Sequence, residues 1–166
     1  SVFALFARAL KGMQYGWAEP ARRWRQIPGT DVQIRLPDTG WQENSSAHAV
    51  KLQSSDGKAS FEAHMRRDTS GAAVDILNAY AKSLSSAGEW KWSANLKWQH
   101  KLPGNGIKRD GSLRVPGSTE AHKVVLYAYK KGDTIVFMIA TARGEKAASE
   151  IRIVNQIAAS MKSSKR

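Results

Sequence analysis

The residues best suited to acid–base or metal chemistry are four histidines, His48, His64, His100 and His122. None stands in the HxxxH or HExxH spacing that brings two imidazoles to one metal from one helix face. Cysteine is absent, which excludes disulfides, thiolate zinc sites and thiol catalysis. No serine occupies a GxSxG elbow. The 14 acidic residues are scattered, so neither a carboxylate pair nor a magnesium cage is expected. The one Gly-rich stretch is Gly104-Asn105-Gly106-Ile107-Lys108-Arg109-Asp110-Gly111. It lacks the Gly-Lys-Ser/Thr ending of a phosphate loop and the GxGxxG spacing. It reads as a flexible surface loop, with Lys108 and Arg109 near its tip and available to an acidic partner. These residues predict no enzyme, no metal and no cofactor.

Binding chemistry is better represented. The chain carries 26 Lys and Arg against 14 Asp and Glu, a formal charge of +12. That balance favours acidic proteins, anionic lipid surfaces or nucleic acid as partners. Arg22, Arg23, Trp24 and Arg25 sit together. Guanidinium groups beside an indole can grip phosphate or carboxylate while the ring stacks; the plainer alternative is a solvated cluster whose Trp covers a core edge. Residues 2–14 have the apolar spacing of a short helix, with Val2, Leu5, Phe6, Ala9 and Met13 on one face and Arg8 and Lys11 off it. This helix either packs on the domain or docks elsewhere through Phe3, Phe6 and Arg8. No stretch approaches the roughly 20 apolar residues of a membrane-spanning helix.

The elements that must position these residues are legible as alternations. Residues 16–30 read as irregular, broken by Pro20, Pro28 and Gly29. Val32, Ile34 and Leu36 mark a short strand, and Trp41 then plugs a core edge. A hairpin follows, with a turn at Ser54-Ser55-Asp56-Gly57 that places Leu52 opposite Ala59, Val50 opposite Phe61 and His48 against Ala63. His48 and His64 then lie on opposite faces of the sheet and cannot share a metal. Residues 70–87 read as a helix with Val74, Leu77, Ala81 and Leu84 inward, capped by Asp68, Thr69 or Ser70 and closed by Gly88. Trp90, Trp92, Ala94, Leu96 and Trp98 predict one long half-buried strand. Its three Trp are either core or an aromatic platform for single-stranded nucleic acid.

Residues 103–119 read as a loop, with a short extended piece over Ser112–Val115. Val124–Tyr129 and Thr134–Ala140 form the strongest hairpin. A turn at Lys131-Gly132 would set Tyr129 opposite Thr134 and Leu126 opposite Phe137. Both faces of this hairpin are apolar, which predicts central strands with helices above and below. Residues 145–161 are the closing helix, with Ala147, Ile151, Val154, Ile157, Ala158 and Met161 in a stripe. Lys162, Lys165 and Arg166 make a basic tail expected to fray.

This order of elements resembles the PsbP-like superfamily. The resemblance rests on Leu36-Pro37 followed by Trp41, a meander hairpin, a helix, the Trp-bearing strand, and a hairpin around Lys131-Gly132-Asp133. The last of these leads to a helix ending in Ala159-Ser160-Met161. It spans roughly residues 30–162, and its best local piece is His122–Ala142. The family includes extrinsic photosynthetic subunits, a Ran-binding import factor, DcrB-type lipoproteins and effector chaperones, and no catalytic motif travels with it. The resemblance implies an α+β fold, an antiparallel β-sheet flanked by helices as an α/β/α sandwich. It divides the chain into a docking segment over 1–29, the domain over 30–162 and a basic tail over 163–166. It implies a non-enzymatic extrinsic subunit docking on a larger, membrane-bound and possibly photosynthetic complex, without a small-molecule substrate. The thylakoid lumen or the bacterial cell envelope is the expected compartment. The docking residues would be Phe3, Phe6, Arg8, Arg22, Arg23, Trp24, Arg25, Lys108 and Arg109. Two alternatives stay open: a soluble adaptor or chaperone that holds a partner in a groove beside the sheet, and a basic nucleic-acid-binding domain.

Overall fold

A computed structural model describes residues 23–67, 71–86 and 88–165. The helix expected over 2–14, with Phe3, Phe6 and Arg8, lies outside the described residues, as does Arg22. In chain order the elements are β1 (Trp24–Gln26), β2 (Val32–Arg35), β3 (Trp41–Glu43), β4 (Ala49–Ser54), β5 (Ala59–Arg67), α1 (Ala73–Ser85), β6 (Glu89–Trp92), β7 (Leu96–Trp98), β8 (Gly106–Arg114), β9 (His122–Lys131), β10 (Thr134–Arg143), α2 (Ala147–Ala159) and β11 (Lys162–Ser163). Eight strands form one antiparallel sheet in the order β3-β4-β5-β10-β9-β8-β6, with β7 also paired to β8. A second sheet, β1-β2-β11, packs beside α2.

The hairpin of β9 and β10 lies at the centre, as its two apolar faces require. Val124, Leu126, Ala128, Ile135 and Phe137 point to one side and meet Ala73, Leu77 and Ala81 of α1. Val125, Tyr127, Tyr129, Val136, Met138 and Ala140 point to the other and meet Val154, Ile157, Ala158 and Met161. Strand β2 adds Val32 and Ile34 to that second layer. The expected α/β/α layering is present, with the small sheet completing the α2 side.

Both hairpin registers differ by two residues from the sequence expectation, and neither difference changes a face. Leu52 lies opposite Phe61 and Val50 opposite Ala63. The cause is Ser54, which leaves the turn to become the last residue of β4. Its buried hydroxyl donates to Asp56 Oδ1 at 2.7 Å and accepts from the Ala59 N–H at 2.9 Å. In the second hairpin Lys131 pairs with Thr134, so Phe137 faces Ala128. Here Gly132 takes φ 64° and is the first of two turn residues, as a type II′ turn requires.

The expected long Trp strand is two strands. Trp92 pairs with Gly111 and Leu96 with Lys108. Three residues, Ser93 to Asn95, therefore oppose two, Arg109 and Asp110. One extra residue is a β-bulge, and it inverts the alternation. Trp90 and Trp92 end on the α1 side, half-buried and stacked at 5.4 Å, while Trp98 is buried on the α2 side at 4% exposure. The Gly-rich segment expected as a loop is the nine-residue strand β8. Glycine is admitted there because each Trp ring lies over its register partner. A Cβ on Gly106 would sit 2.4 Å from the Trp98 ring, and one on Gly111 2.6 Å from the Trp92 ring. Strand glycines of this kind mark close approach rather than a turn.

Four smaller expectations are corrected. The described N-cap of α1 is Ala72, whose N–H is held by Asp75 at 3.3 Å, while Asp68, Thr69 and Ser70 lie outside the described residues. Helix α1 ends with Ser86 as its C-cap, two residues before Gly88. The stretch read as irregular contains β1. The tail read as frayed contributes β11, and Asp31 secures it: its carbonyl accepts from Ser164 N–H at 2.7 Å, and its carboxylate pairs with Lys131 at 2.9 Å and Lys165 at 3.7 Å.

Gly106→Ala should destabilise the fold by about 1–3 kcal/mol through overpacking against a fixed indole. In a Trp98→Ala background the same change should cost much less, because the clash partner is gone. Urea unfolding of the four chains checks this; equal costs in both backgrounds would contradict the Trp–Gly pairing.

Candidate functional site

Helix α2 packs on β10, β9, β5 and β2, and on its side of the sheet no helix among the described residues packs over β8 and β6. That strip forms the floor of a groove of about 470 Å³, walled by Ile151 and Asn155 of α2. Its floor is polar by strand alternation. The residues of β8 that face α1 are Ile107, Arg109, Gly111 and Leu113, so Lys108, Asp110 and Ser112 face the groove. Lys91 is opposite Ser112, and Ser112 is opposite Lys123. Lys91 and Lys123 thus lie two strands apart in one row, about 10 Å between backbones.

Three ammonium groups therefore share the groove with a single carboxylate, Asp110. Lys108 is the most enclosed, with a side chain 22% exposed and 3.9 Å from Asp110. Lys91 and Lys123 are exposed. Tyr127, buried in the floor, donates its hydroxyl proton to Asn155 Oδ1. Burial, and then the nearby Asp110, push the Tyr127 phenol far above its ordinary range. It remains a neutral donor and fixes the Asn155 amide with its N–H₂ end away from the tyrosine. The groove offers donors and positive charge, the chemistry that receives carboxylates.

The residues expected to dock are distributed differently. Lys108 and Arg109 are not at a loop tip; they occupy adjacent positions of β8 and point to opposite faces. Arg109 is turned toward α1, donating to Ser93 O at 2.8 Å and Asn78 Oδ1 at 3.2 Å, with its guanidinium 5.6 Å from the Trp92 ring. Arg23 pairs with Asp38 at 2.8 Å, and Arg25 grips Glu43 at 2.9 Å. Trp24 lies under the Lys162 ammonium at 3.9 Å. The structure thus ties Arg23 and Arg25 to carboxylates and brings Lys108 together with Lys91 and Lys123. Lys91 and Lys123 carry no signal in the sequence, because a row across three strands has no linear spacing to reveal it.

No group of three or more His, Asp or Glu side chains is placed to hold a metal among the described residues. Two histidines, His64 and His100, have their pKa lowered. His100 accepts from the Leu102 N–H at 3.1 Å through Nδ1 and meets Trp98 and Tyr129 edge-on at 5.1 and 4.6 Å. Burial lowers its pKa. His64 sits by Phe137, and burial followed by Arg66 lowers its pKa against the opposing pull of Glu62. No helix among the described residues is long and apolar enough to cross a membrane.

No protein-family model matches the sequence, and no curated protein matches it. Solved structures do. A Bacteroides thetaiotaomicron protein matches with TM-score 0.56 at 11% identity over 85% of this chain, which spans about half, 48%, of that protein. The Saccharomyces cerevisiae Ran-binding protein Mog1p matches with TM-score 0.55 at 9% identity, over 85% of this chain and 95% of that one. Cyanobacterial PsbP (CyanoP) from Synechocystis matches with TM-score 0.54 at 12% identity, over 85% and 92%. The chain has the PsbP-like fold. What the PsbP-like fold leaves to each chain is the chemistry of its surface, and here that surface includes the lysine groove.

The two lowered histidines make stability fall on acidification. An unfolded histidine takes up its proton near pH 6.5, whereas the folded pKa is lower, so the unfolded state binds more protons below that pH. Stability should be full above pH 6.5 and decline as pH falls through the unfolded value toward the folded one. His100→Gln should flatten this decline. Urea midpoints from pH 8 to pH 5 test it; a midpoint that rises on acidification would contradict the assignment.

Proposed function

We propose that this chain is a non-enzymatic binding domain that receives an acidic segment of a partner protein in the groove beside α2. The observation that carries the reading is the row Lys91, Ser112 and Lys123 with Lys108 beside α2, where Asp110 is the one carboxylate among the described residues lining the groove. A surface of excess ammonium groups steers and retains carboxylates. The formal charge of +12 adds long-range attraction of the same sign. Protein binding on this fold has a precedent in the Ran-binding Mog1p. The three-Trp platform of a nucleic-acid reading is not formed, because Trp98 is buried on the opposite face from Trp90 and Trp92.

The finer reading is an extrinsic accessory subunit of a membrane-bound assembly, attached through residues 1–22 with Phe3, Phe6, Arg8 and Arg22 as contacts. Truncation to residue 23 should then leave unfolding unchanged, since β1 begins at Trp24, but should release the chain from the assembly in which it is made. A truncated chain that still co-sediments with that assembly would rule this attachment out.

For the groove, the probe is a 12-residue peptide rich in Asp and Glu, titrated against the intact chain by calorimetry. Lys91→Glu with Lys123→Glu should weaken binding by roughly 10-fold or more, about 1.4 kcal/mol, with unchanged thermal unfolding. Rising salt should weaken the parent chain as well. Equal affinity for parent and double variant would rule the groove out. So would tight binding of a single-stranded oligonucleotide that outcompetes the peptide.

A further inference from the structure

The groove ends at an open sheet edge. Strand β6 pairs only with β8, and nothing pairs with its outer side among the described residues. The direction of its backbone groups follows from the ladder. Ser93 N–H donates to Asp110 O at 2.8 Å, which makes that position a hydrogen-bonded pair. Pairs alternate along an antiparallel ladder. Lys91 and Glu89 therefore bond to β8, and the N–H and C=O groups of Trp90 and Trp92 point outward to the open edge.

The two faces of this edge differ in chemistry. Lys91 stands on the groove side, in line with Lys123. Trp90 and Trp92, half-buried, stand on the α1 side. Leu96, 43% exposed and the exposed large apolar residue among those described, lies farther along the same sheet edge on β7. A free edge flanked by charge on one face and aromatic surface on the other specifies an alternating sequence.

We propose that the partner's acidic segment adds to β6 as an antiparallel strand, with carboxylates toward Lys91 and apolar residues toward Trp90 and Trp92. The inference rests on the reading of the groove as a protein-binding site and adds how the segment is held. Main-chain hydrogen bonds supply affinity in such strand addition, and alternate side chains supply specificity. Antiparallel pairing is chosen because every pair in both sheets is antiparallel. A second copy of this chain, paired about Trp90, would match Lys91 with Glu89 alone and is the competing occupant that the test separates. An acidic strand neutralises the row of Lys91 and Lys123 instead.

The geometry dictates which peptide amides matter. Residues opposite Trp90 and Trp92 form the hydrogen-bonded pairs and share their face, so the apolar residues of the partner point their amides at β6. The glutamate amides point away. The test uses an eight-residue peptide alternating Glu with Val and Thr, and a block peptide of equal composition with every Glu at one end. Each is titrated against the intact chain by calorimetry.

The alternating peptide should bind at least 10-fold more tightly than the block peptide. N-methylation of its Val and Thr amides should abolish binding, and N-methylation of its Glu amides should leave it. Hydrogen exchange at the Trp90 and Trp92 amides should slow on binding. If both peptides bind equally, N-methylation changes nothing and Lys91→Glu with Lys123→Glu still weakens binding roughly 10-fold or more, strand addition is overturned and the groove survives. If neither peptide binds, both readings fall. If the free chain dimerises and Trp90 and Trp92 amides are protected only in the dimer, a second copy is the occupant and the proposal is overturned.

Discussion

The burial of β9 and β10 on both faces is the constraint from which the rest of the fold follows. A strand apolar on one face needs one partner layer; this hairpin needs two. Helix α1 meets the requirement on one side. On the other, α2 shares the task with β2, which brings Val32 and Ile34 to the same layer. That division decides where open surface remains. Helix α2 is centred toward β10, and the β2 strand lies beside it. Among the described residues no helix covers the strip over β8 and β6, and alternation fills it with Lys91, Lys108, Asp110, Ser112 and Lys123.

The architecture was legible wherever one face was dry. The pattern from Val124 to Met138 separates the two layers correctly, residue by residue. The inward stripe of α2 is similarly plain, because Ala147, Val154, Ile157 and Ala158 are all buried. Registers were less legible. Two residues of slip preserve every face, so the apolar pattern cannot distinguish the alternatives. The choice fell to local turn chemistry at Ser54 and Gly132, where one hydroxyl and one positive φ decide.

Strand β8 was hidden for a different reason. Gly106 and Gly111 are ordinary signals of a turn, yet each is small because an indole from the neighbouring strand covers it. The covering residues, Trp98 and Trp92, are eight and nineteen positions away in sequence, so no local window contains the explanation. The bulge over Ser93 to Asn95 was concealed by the alternation it interrupts, since Trp90, Trp92 and Trp98 keep even spacing while changing faces. The lysine groove depends on both hidden features. Without β8 as a strand, Lys108 and Arg109 look like neighbours on a loop, and without the register Lys91 and Lys123 have no relation.

The strip beside α2 is the face proposed to meet a partner. Amide chemical shifts of the labelled intact chain, followed as an acidic peptide is added, test it most directly. The largest shifts are expected at Trp90, Lys91, Trp92, Ser112 and Lys123, with the outer face of α1 undisturbed. Shifts centred instead on Arg23, Trp24 and Arg25, or on the outer face of α1, would contradict it.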